Sequence, residues 1–501
     1  MTYTLLGYPT IEIVRDFMDE NRRSNQVMQK YSVASVAMLV FFFHSVAGAQ
    51  ELLQPPVRVA EPPAPAAGSR FISPPARPTE PVSVGEAPVS QGEILDLDTV
   101  LSLATQNNPT LMQARLQVSA ELAKAQQAGL YPNPTLSYSG EQIFVDVEGD
   151  TDSPGEFQGG IISQRFVTAG KLSLSREKYM RRAHITEHLA VAQQYRVCND
   201  VRIHFYRTLA AQQRLEMHRE LLKTSEDAAV TARELYNVGQ ANRYDVRKSN
   251  VMLQRSRLDV QRAEHEYRMR FRELTAIVGL ELPVGSVSGT LASTQPLASF
   301  DESLARIVQE SPEVLAAKAK LAADRVTIER EEVEWIPDIV VSAGSGYNFD
   351  AKETVAVADI SIEIPLFDRN QGTINQARAD FNRQRREVRR TELTLRQRLA
   401  MVYQEYAMSY EHASEYRDSI VPEMKAAYRE LLASYKQNRI EWPEVLTAQS
   451  DYAQVRLEQI NYEEQLRRSE VLIQGYLLDG GLNAASGPMP AGHIDSVPKP
   501  R

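Results

Sequence analysis

The chain has 501 residues, with 56 Lys or Arg against 65 Asp or Glu, giving a formal net charge of −9 and a charged fraction of 24%. So mild an acidic excess supplies no concentrated basic face and excludes a nucleic-acid footprint. A single cysteine, Cys198, excludes an intramolecular disulfide framework and a multi-cysteine zinc site, and reads as a small buried apolar residue on a helix.

Residues 1–49 read as a secretory signal. A basic flank (Arg22, Arg23, Lys30) precedes an apolar run over 33–43 and the small-residue site Ala47-Gly48-Ala49. The run is too short for a comfortable membrane span, so cleavage after Ala49 and export are expected. No cysteine follows the run to accept a lipid. Residues 50–92 are proline-rich (Pro55, Pro56, Pro62, Pro63, Pro74, Pro75), the composition of an extended, unpacked linker. The ordered body is expected over 93–479, with a flexible tail over 480–501.

Within that body the sequence repeats itself, with a first repeat over 93–285 and a second over 296–479. Asp98, Leu101, Pro109, Ala114, Pro134 and Ser139 fall on Asp301, Leu304, Pro312, Ala317, Pro337 and Ser342; further on, Tyr236, Asp245 and Val246 fall on Tyr435, Glu444 and Val445. Repeats this long are too large for solenoid units, so this is a duplicated half-protein. Each half reads as short helix, second helix, two strands, long helix, turn and last helix. Asn108-Pro109 and Ser311-Pro312 separate the first two helices, with proline where its missing N–H costs least. Pro134 and Pro337 then open the strands, expected over about 135–145 and 159–167 in the first half, 338–348 and 355–366 in the second. The last one alternates, with Ile360, Ile362 and Ile364 on one face and Asp359, Ser361 and Glu363 on the other. That pattern suits a barrel wall between lipid and water, and also a half-buried strand in a soluble sheet.

The long helices dominate. From 171 to 282 there is no proline, and only Gly239 and Gly279 interrupt; from 373 to 478 the pattern recurs, broken by Pro422 and Pro443. Apolar residues keep a seven-residue period in both stretches: Val246, Leu253, Val260, Tyr267 and Leu274, then Ile374, Phe381, Val388, Leu395 and Val402. Such a stripe buries itself on a neighbouring helix by supercoiling. The pairs Arg385-Arg386 and Arg389-Arg390, set among Glu387 and Glu392, read as a solvated helix face. Four strands are too few to close a barrel with a lumen, and a sheet in lipid cannot leave its edges unpaired. Several protomers would therefore share one barrel, continued by a helical tube whose far tips lie near Gly239 and Asn438.

These features resemble the outer-membrane efflux proteins typified by TolC, over about 93–479. The marks are the duplicated halves, the tips Tyr236-Asn237-Val238-Gly239 and Tyr435-Lys436-Gln437-Asn438, and the acidic residues Asp245 and Glu444 that follow. The junction from Ile364-Pro365-Leu366-Phe367 through Asp368-Arg369-Asn370-Gln371-Gly372 looks like the heavy-metal branch, the cobalt-zinc-cadmium and copper-silver components. The resemblance implies a mainly α fold with a small transmembrane β part, in which four strands per protomer build a shared trimeric twelve-stranded barrel above a coiled-coil helical tunnel. It further implies an outer-membrane location with a periplasmic tunnel, a homotrimer, a periplasmic adaptor, an inner-membrane proton-driven pump, outer-membrane lipid around the barrel, no cofactor and no enzymatic activity. Asn438 stands where the family usually has glycine. Thr447 stands where TolC carries a second aspartate in its closing constriction.

Gly239, Asp245, Asn438, Arg439 and Glu444 are accordingly the candidate tip and gate residues. A carboxylate one turn inside a helix start also simply favours the helix dipole, so Asp245 and Glu444 have a purely structural reading beside a gating one. A different chemistry is suggested by His184-Ile185-Thr186-Glu187-His188, which fits HxxEH, a zinc-hydrolase pattern. Glu264 or Glu266 would be its third ligand; the remaining histidines, His204, His218, His265 and His412, read as scattered and solvated. The readings are thus a passive export duct for heavy-metal cations, the same duct for drugs or secreted proteins, a secreted structural coiled-coil protein, and a metal-dependent hydrolase.

Overall fold

The computed structural model describes residues 94–141, 156–239, 242–293, 296, 298–437 and 439–487. The expected signal and linker, Asn438, the strand positions 142–145 and the end of the tail lie outside them. The first half runs α1 (Leu97–Asn107), α2 (Pro109–Ala128), β2 (Thr135–Glu141), β3 (Phe157–Phe166), α3 (Lys171–Asn237), α4 (Arg243–Val278). The second runs α5 (Phe300–Glu310), α6 (Pro312–Glu332), β5 (Ile339–Asn348), β6 (Glu353–Ile362), α7 (Gln371–Glu415), α8 (Val421–Lys436), α9 (Trp442–Gln474). A two-residue strand precedes each half, β1 (Ile94–Leu95) and β4 (Ser286–Val287), and these two pair in parallel. They are too short to leave a periodic signal in the sequence.

Capping chemistry explains where the short helices start. Asp96 accepts the Thr99 N–H at 2.9 Å ahead of α1. Asn108 accepts the Thr110 N–H at 2.9 Å ahead of α2, with Pro109 in the first turn. Ser299 and Glu302 form a reciprocal capping box at α5. The chain then enters α3, 67 unbroken residues, roughly 100 Å at the helical rise.

Burial along the heptad stripe is graded. Val246 and Leu253 are half-buried, whereas Val260, Tyr267 and Leu274 are buried; in α7, Ile374, Phe381 and Val388 are half-buried and Leu395 is buried. The reason lies in the middle of α3. There Val197, Val201, Phe205 and Leu209 share a core with Phe271 and Leu274 of α4, while Ala192 and Ile203 share another with Leu395 and Leu399 of α7 and Leu466 and Ile473 of α9. Full burial of such side chains contributes about 1.5–3 kcal/mol each, so this zone anchors the fold. Pro422, read above as a break, does not end the helix. The backbone passes through one π turn (Tyr416–Ile420), in which the Val421 N–H reaches the Tyr416 carbonyl. This wider turn re-registers the hydrogen bonds ahead of a residue that has no N–H to give.

The segment beyond α9 corrects the expectation of a flexible tail from 480 onward. Gln193, fully buried, donates to the carbonyls of Gly481 (2.9 Å) and Asn483 (3.3 Å), and the Gly481 N–H donates to Asp200 at 2.6 Å. Gln117 donates to Ala485 at 3.1 Å. Asn199, also fully buried, donates to the carbonyls of Gly475 and Leu478 at 2.9 and 2.8 Å. Burial pushes the Asp200 carboxyl up, against the opposing N–H groups of Gly481 and Gly480. Two α3 amides therefore hold the segment 475–483 in place, a role that helix periodicity does not advertise. A Cβ on Gly475 would stand 2.1 Å from the Asn199 amide. Gly475→Ala is thus expected to cost about 1–3 kcal/mol by overpacking, read as a lower urea midpoint for the solubilised protein; an unchanged midpoint would mean that Asn199 is free to move.

Candidate functional site

The sheet has the order β2-β3-β5-β6, antiparallel throughout. Side chains directly opposite one another share a face, and neighbours along a strand alternate. The register therefore sorts the sheet into two unlike surfaces. One is mixed: it carries the polar row Thr135, Ser163, Ser342 and Asp359, with Ser137, Glu141, Arg165, Asn348 and Ser361, interspersed with Phe157, Ile161, Val340, Val355 and Val357; the hydroxyls of Ser163 and Ser342 lie 2.9 Å apart. The other carries Leu136, Tyr138, Ile162, Phe166, Ile339, Val341, Ile360 and Ile362. In one chain this apolar surface is open, with Leu136 75% exposed, Ile162 57% and Ile360 69%. Among the described residues β2 and β6 each leave one edge unpaired.

Ile364, grouped above with the strand isoleucines, is a correction. β6 ends at Ile362 because its partner begins at Ile339, preceded by Pro337-Asp338, and nothing is left to pair with Glu363. Ile364 instead accepts the Leu366 N–H at 2.9 Å across Pro365, in the segment leading to α7.

Between strands and long helices the chain turns sharply. Ala169 and Gly170 have φ of 53° and 67°, and Asn370 has φ of 60°, left-handed conformations suited to glycine and asparagine. Both junctions are tied to the α6–β5 connection. Asp338 accepts Lys171 Nζ at 2.9 Å, Arg165 Nη2 at 2.8 Å and the Thr168 N–H at 3.1 Å, while the Thr168 hydroxyl donates to Pro337 at 2.7 Å. On the other side Asn370 Nδ2 donates to the Glu331 carbonyl and carboxylate, both at 2.9 Å. The Lys171 and Asp338 side chains are only 4% and 6% exposed. Burial opposes charge on Asp338, yet the Lys171 hydrogen bond, the Thr168 N–H and the two cations hold its carboxyl below the ordinary value. These contacts span 167 to 173 positions of sequence. No local pattern could have paired them; the nearest signal is that Lys171 and Asp338 each directly follow a turn-forming Gly or Pro.

At the first tip Gly239 has φ of 78° with open space around it. Asp245 and Asn242 form a capping box: Asp245 Oδ2 accepts the Asn242 N–H at 3.1 Å and Asn242 Oδ1 accepts the Asp245 N–H at 3.0 Å. At the second, the Arg439 N–H donates to Ser434 at 3.0 Å and the Tyr435 and Trp442 rings meet at 4.7 Å. Glu444 occupies the same place in α9 as Asp245 in α4. It is exposed, and among the described residues no hydrogen bond or ion pair engages its carboxylate. Thr447 bonds only back to the Pro443 carbonyl at 3.0 Å. The two acidic tip residues are therefore unequal: one is a cap, the other is free.

The HxxEH segment lies within α3. His184 Nδ1 is 2.9 Å from Glu187 Oε2, a hydrogen bond that raises the His184 pKa, whereas burial lowers that of His188. The third ligand suggested above is ruled out by position. Glu264 pairs with Arg219 and Glu266 with Arg214, roughly thirty residues further along α3, on the order of 45 Å at its rise. Among the described residues no three metal-ligating side chains converge. His265 and His412 are exposed, but His204 and His218 are half-buried, with His204 Nδ1 3.7 Å from Glu273. Cys198 is half-buried, and burial pushes its thiol up. The arginine pairs of α7 are exposed, Arg389 and Arg390 bonding to Glu392 and Glu387. No described helix is long and apolar enough to cross a membrane, which says nothing of strands.

Comparison with known proteins adds an independent line. The family model for outer membrane efflux proteins matches residues 100–280 and 304–477, one segment per half. The cobalt-zinc-cadmium resistance protein CzcC of Cupriavidus metallidurans is 24% identical over 367 residues, 72% of this chain and 85% of that protein. The toluene efflux pump outer membrane protein TtgF of Pseudomonas putida is 26% identical over 263 residues, 49% of this chain and 53% of that one. Among solved structures, CusC superposes with a TM-score of 0.62 at 18% identity, covering 78% of this chain and 94% of that one. VceC of Vibrio cholerae does so with a TM-score of 0.59 at 15% identity, covering 76% and 96%.

Proposed function

The chain belongs to the outer membrane efflux protein family, and from that premise we propose that it is a passive, non-enzymatic duct whose sheet lies in the outer membrane and whose long helices continue it into the periplasm. The observation that carries this reading is the two-faced sheet: an exposed apolar surface, a mixed one with a polar row across it behind, and two open edges among the described residues, passing through Gly170 and Asn370 into α3 and α7. Edges cannot stay unpaired in lipid, and four strands cannot enclose a lumen. Three copies would close a twelve-stranded barrel with Leu136, Ile162, Ile360 and Ile362 toward lipid. An adaptor at the tips and a proton-driven inner-membrane pump would supply cargo and energy. Heavy-metal cations are the favoured cargo, since the likeness to CzcC extends over most of both chains whereas that to TtgF covers about half.

Glu444 is the residue best suited to the narrow end, because its carboxylate is uncommitted where that of Asp245 caps a helix. Three such carboxylates around an axis repel one another and favour bound cations. Purified protein in planar bilayers is expected to give conductance steps that polyvalent cations block. Glu444→Gln should weaken the block several-fold without altering assembly, and Asp245→Asn should change it less. Absence of conductance overturns the duct; an unchanged block in the Glu444 variant returns that residue to a helix-start role.

A further inference from the structure

His184 and His188 lie four residues apart in α3, so they share one face with Cβ atoms about 5–6 Å apart. That turn buries Ala183, Ile185 and Thr186, with Ile185 packed on Ala316 and Ala323 of α6. Its other side, with His184, Glu187 and His188, is left half-exposed. The Glu187 carboxylate, 2.9 Å from His184 Nδ1, holds the proton on that nitrogen. The lone pair is then on Nε2, the arrangement in which a carboxylate orients a metal-binding imidazole. The neighbouring cation Arg181 is engaged by Glu177 at 3.0 Å.

We propose that His184 and His188 form a two-nitrogen chelate for a divalent cation of borderline softness, the class of zinc, cobalt and nickel, with Glu187 orienting the first ligand. Imidazole suits these metals. With no third ligand among the described residues, water completes the coordination, so the site exchanges its cation readily and has neither the closed shell of a structural zinc nor the cleft of a hydrolase. It does not depend on what passes through the duct.

The test uses the mature full-length protein in detergent, free of any affinity tag, titrated with Zn2+ by calorimetry and with Co2+ by visible absorbance. His184→Ala and His188→Ala are each expected to weaken Zn2+ binding at least tenfold. Glu187→Gln should weaken it about tenfold, as for other carboxylates behind a ligating histidine, and His265→Ala should leave it unchanged. On the unaltered protein, Zn2+ should protect His184 and His188 from diethyl pyrocarbonate, read by mass spectrometry. Binding that is indistinguishable in the double alanine variant, or absence of protection at both histidines, overturns the chelate whether or not the channel conducts.

Discussion

Asp338→Ala is expected to destabilise the protein by about 3–5 kcal/mol, because it leaves the Lys171 ammonium buried without its counter-charge. The same change removes the acceptor of the Thr168 N–H and of Arg165, loosening the turn from β3 into α3. The Asp338 carboxyl titrates below 3.8, the ordinary aspartate value, in the folded chain. Its contribution is therefore complete above that value and is lost as pH falls through the lower folded pKa. Urea midpoints of the solubilised protein should differ widely between wild type and variant at neutral pH, and the gap should narrow in strong acid. Equal midpoints at neutral pH would show that Lys171 finds water or another carboxylate instead.

Ile162→Arg should cost about 2–4 kcal/mol, the penalty for arginine on the lipid side at the bilayer midplane. Ile162 sits mid-strand, paired with Leu136 and Ala343, whereas Ile362 is the last residue of β6. Depth decides the difference: arginine near the membrane boundary costs about 0–1 kcal/mol, so Ile362→Arg should be mild. Ser137→Arg lies one row from Leu136 on the opposite surface, beside the row of Ser163 and Ser342, and should also be mild. Thermal stability of membrane-extracted protein measures all three. Equal losses for Ile162→Arg and Ser137→Arg would show that the apolar surface does not face lipid.

Much of this architecture could be read in advance from residues with strong local chemistry. Pro109 and Pro312 mark helix starts, Pro134 and Pro337 precede strands, and the unbroken stretch from Lys171 to Asn237 is one helix. The heptad residues named from sequence lie on the packed face, because supercoil packing needs only their spacing. What was not legible depends on distant partners. Ile364 fits the alternation as well as Ile362 does, but pairing stops where β5 has no further residue to offer. Asp338 and Lys171, Gln193 and Gly481, Asn199 and Gly475 meet across spans that periodicity does not encode. At the tips, sequence put Asp245 and Glu444 alike one turn inside a helix start; the Asn242 cap that engages Asp245 is seen only in the structure.

The alternation of the sheet also says where the two copies were free to diverge after duplication. A one-residue slip within a strand sends every later side chain to the opposite surface, so an insertion early in β3 would turn Ile162 to the surface that Ser163 occupies. Between strands no such parity applies. β3 and β6 are both 10 residues long, while the connection 167–170 answers to the longer 363–370. For this pair of strands, drift in length has accumulated in the connection to the long helix, and the strand itself has changed by substitution.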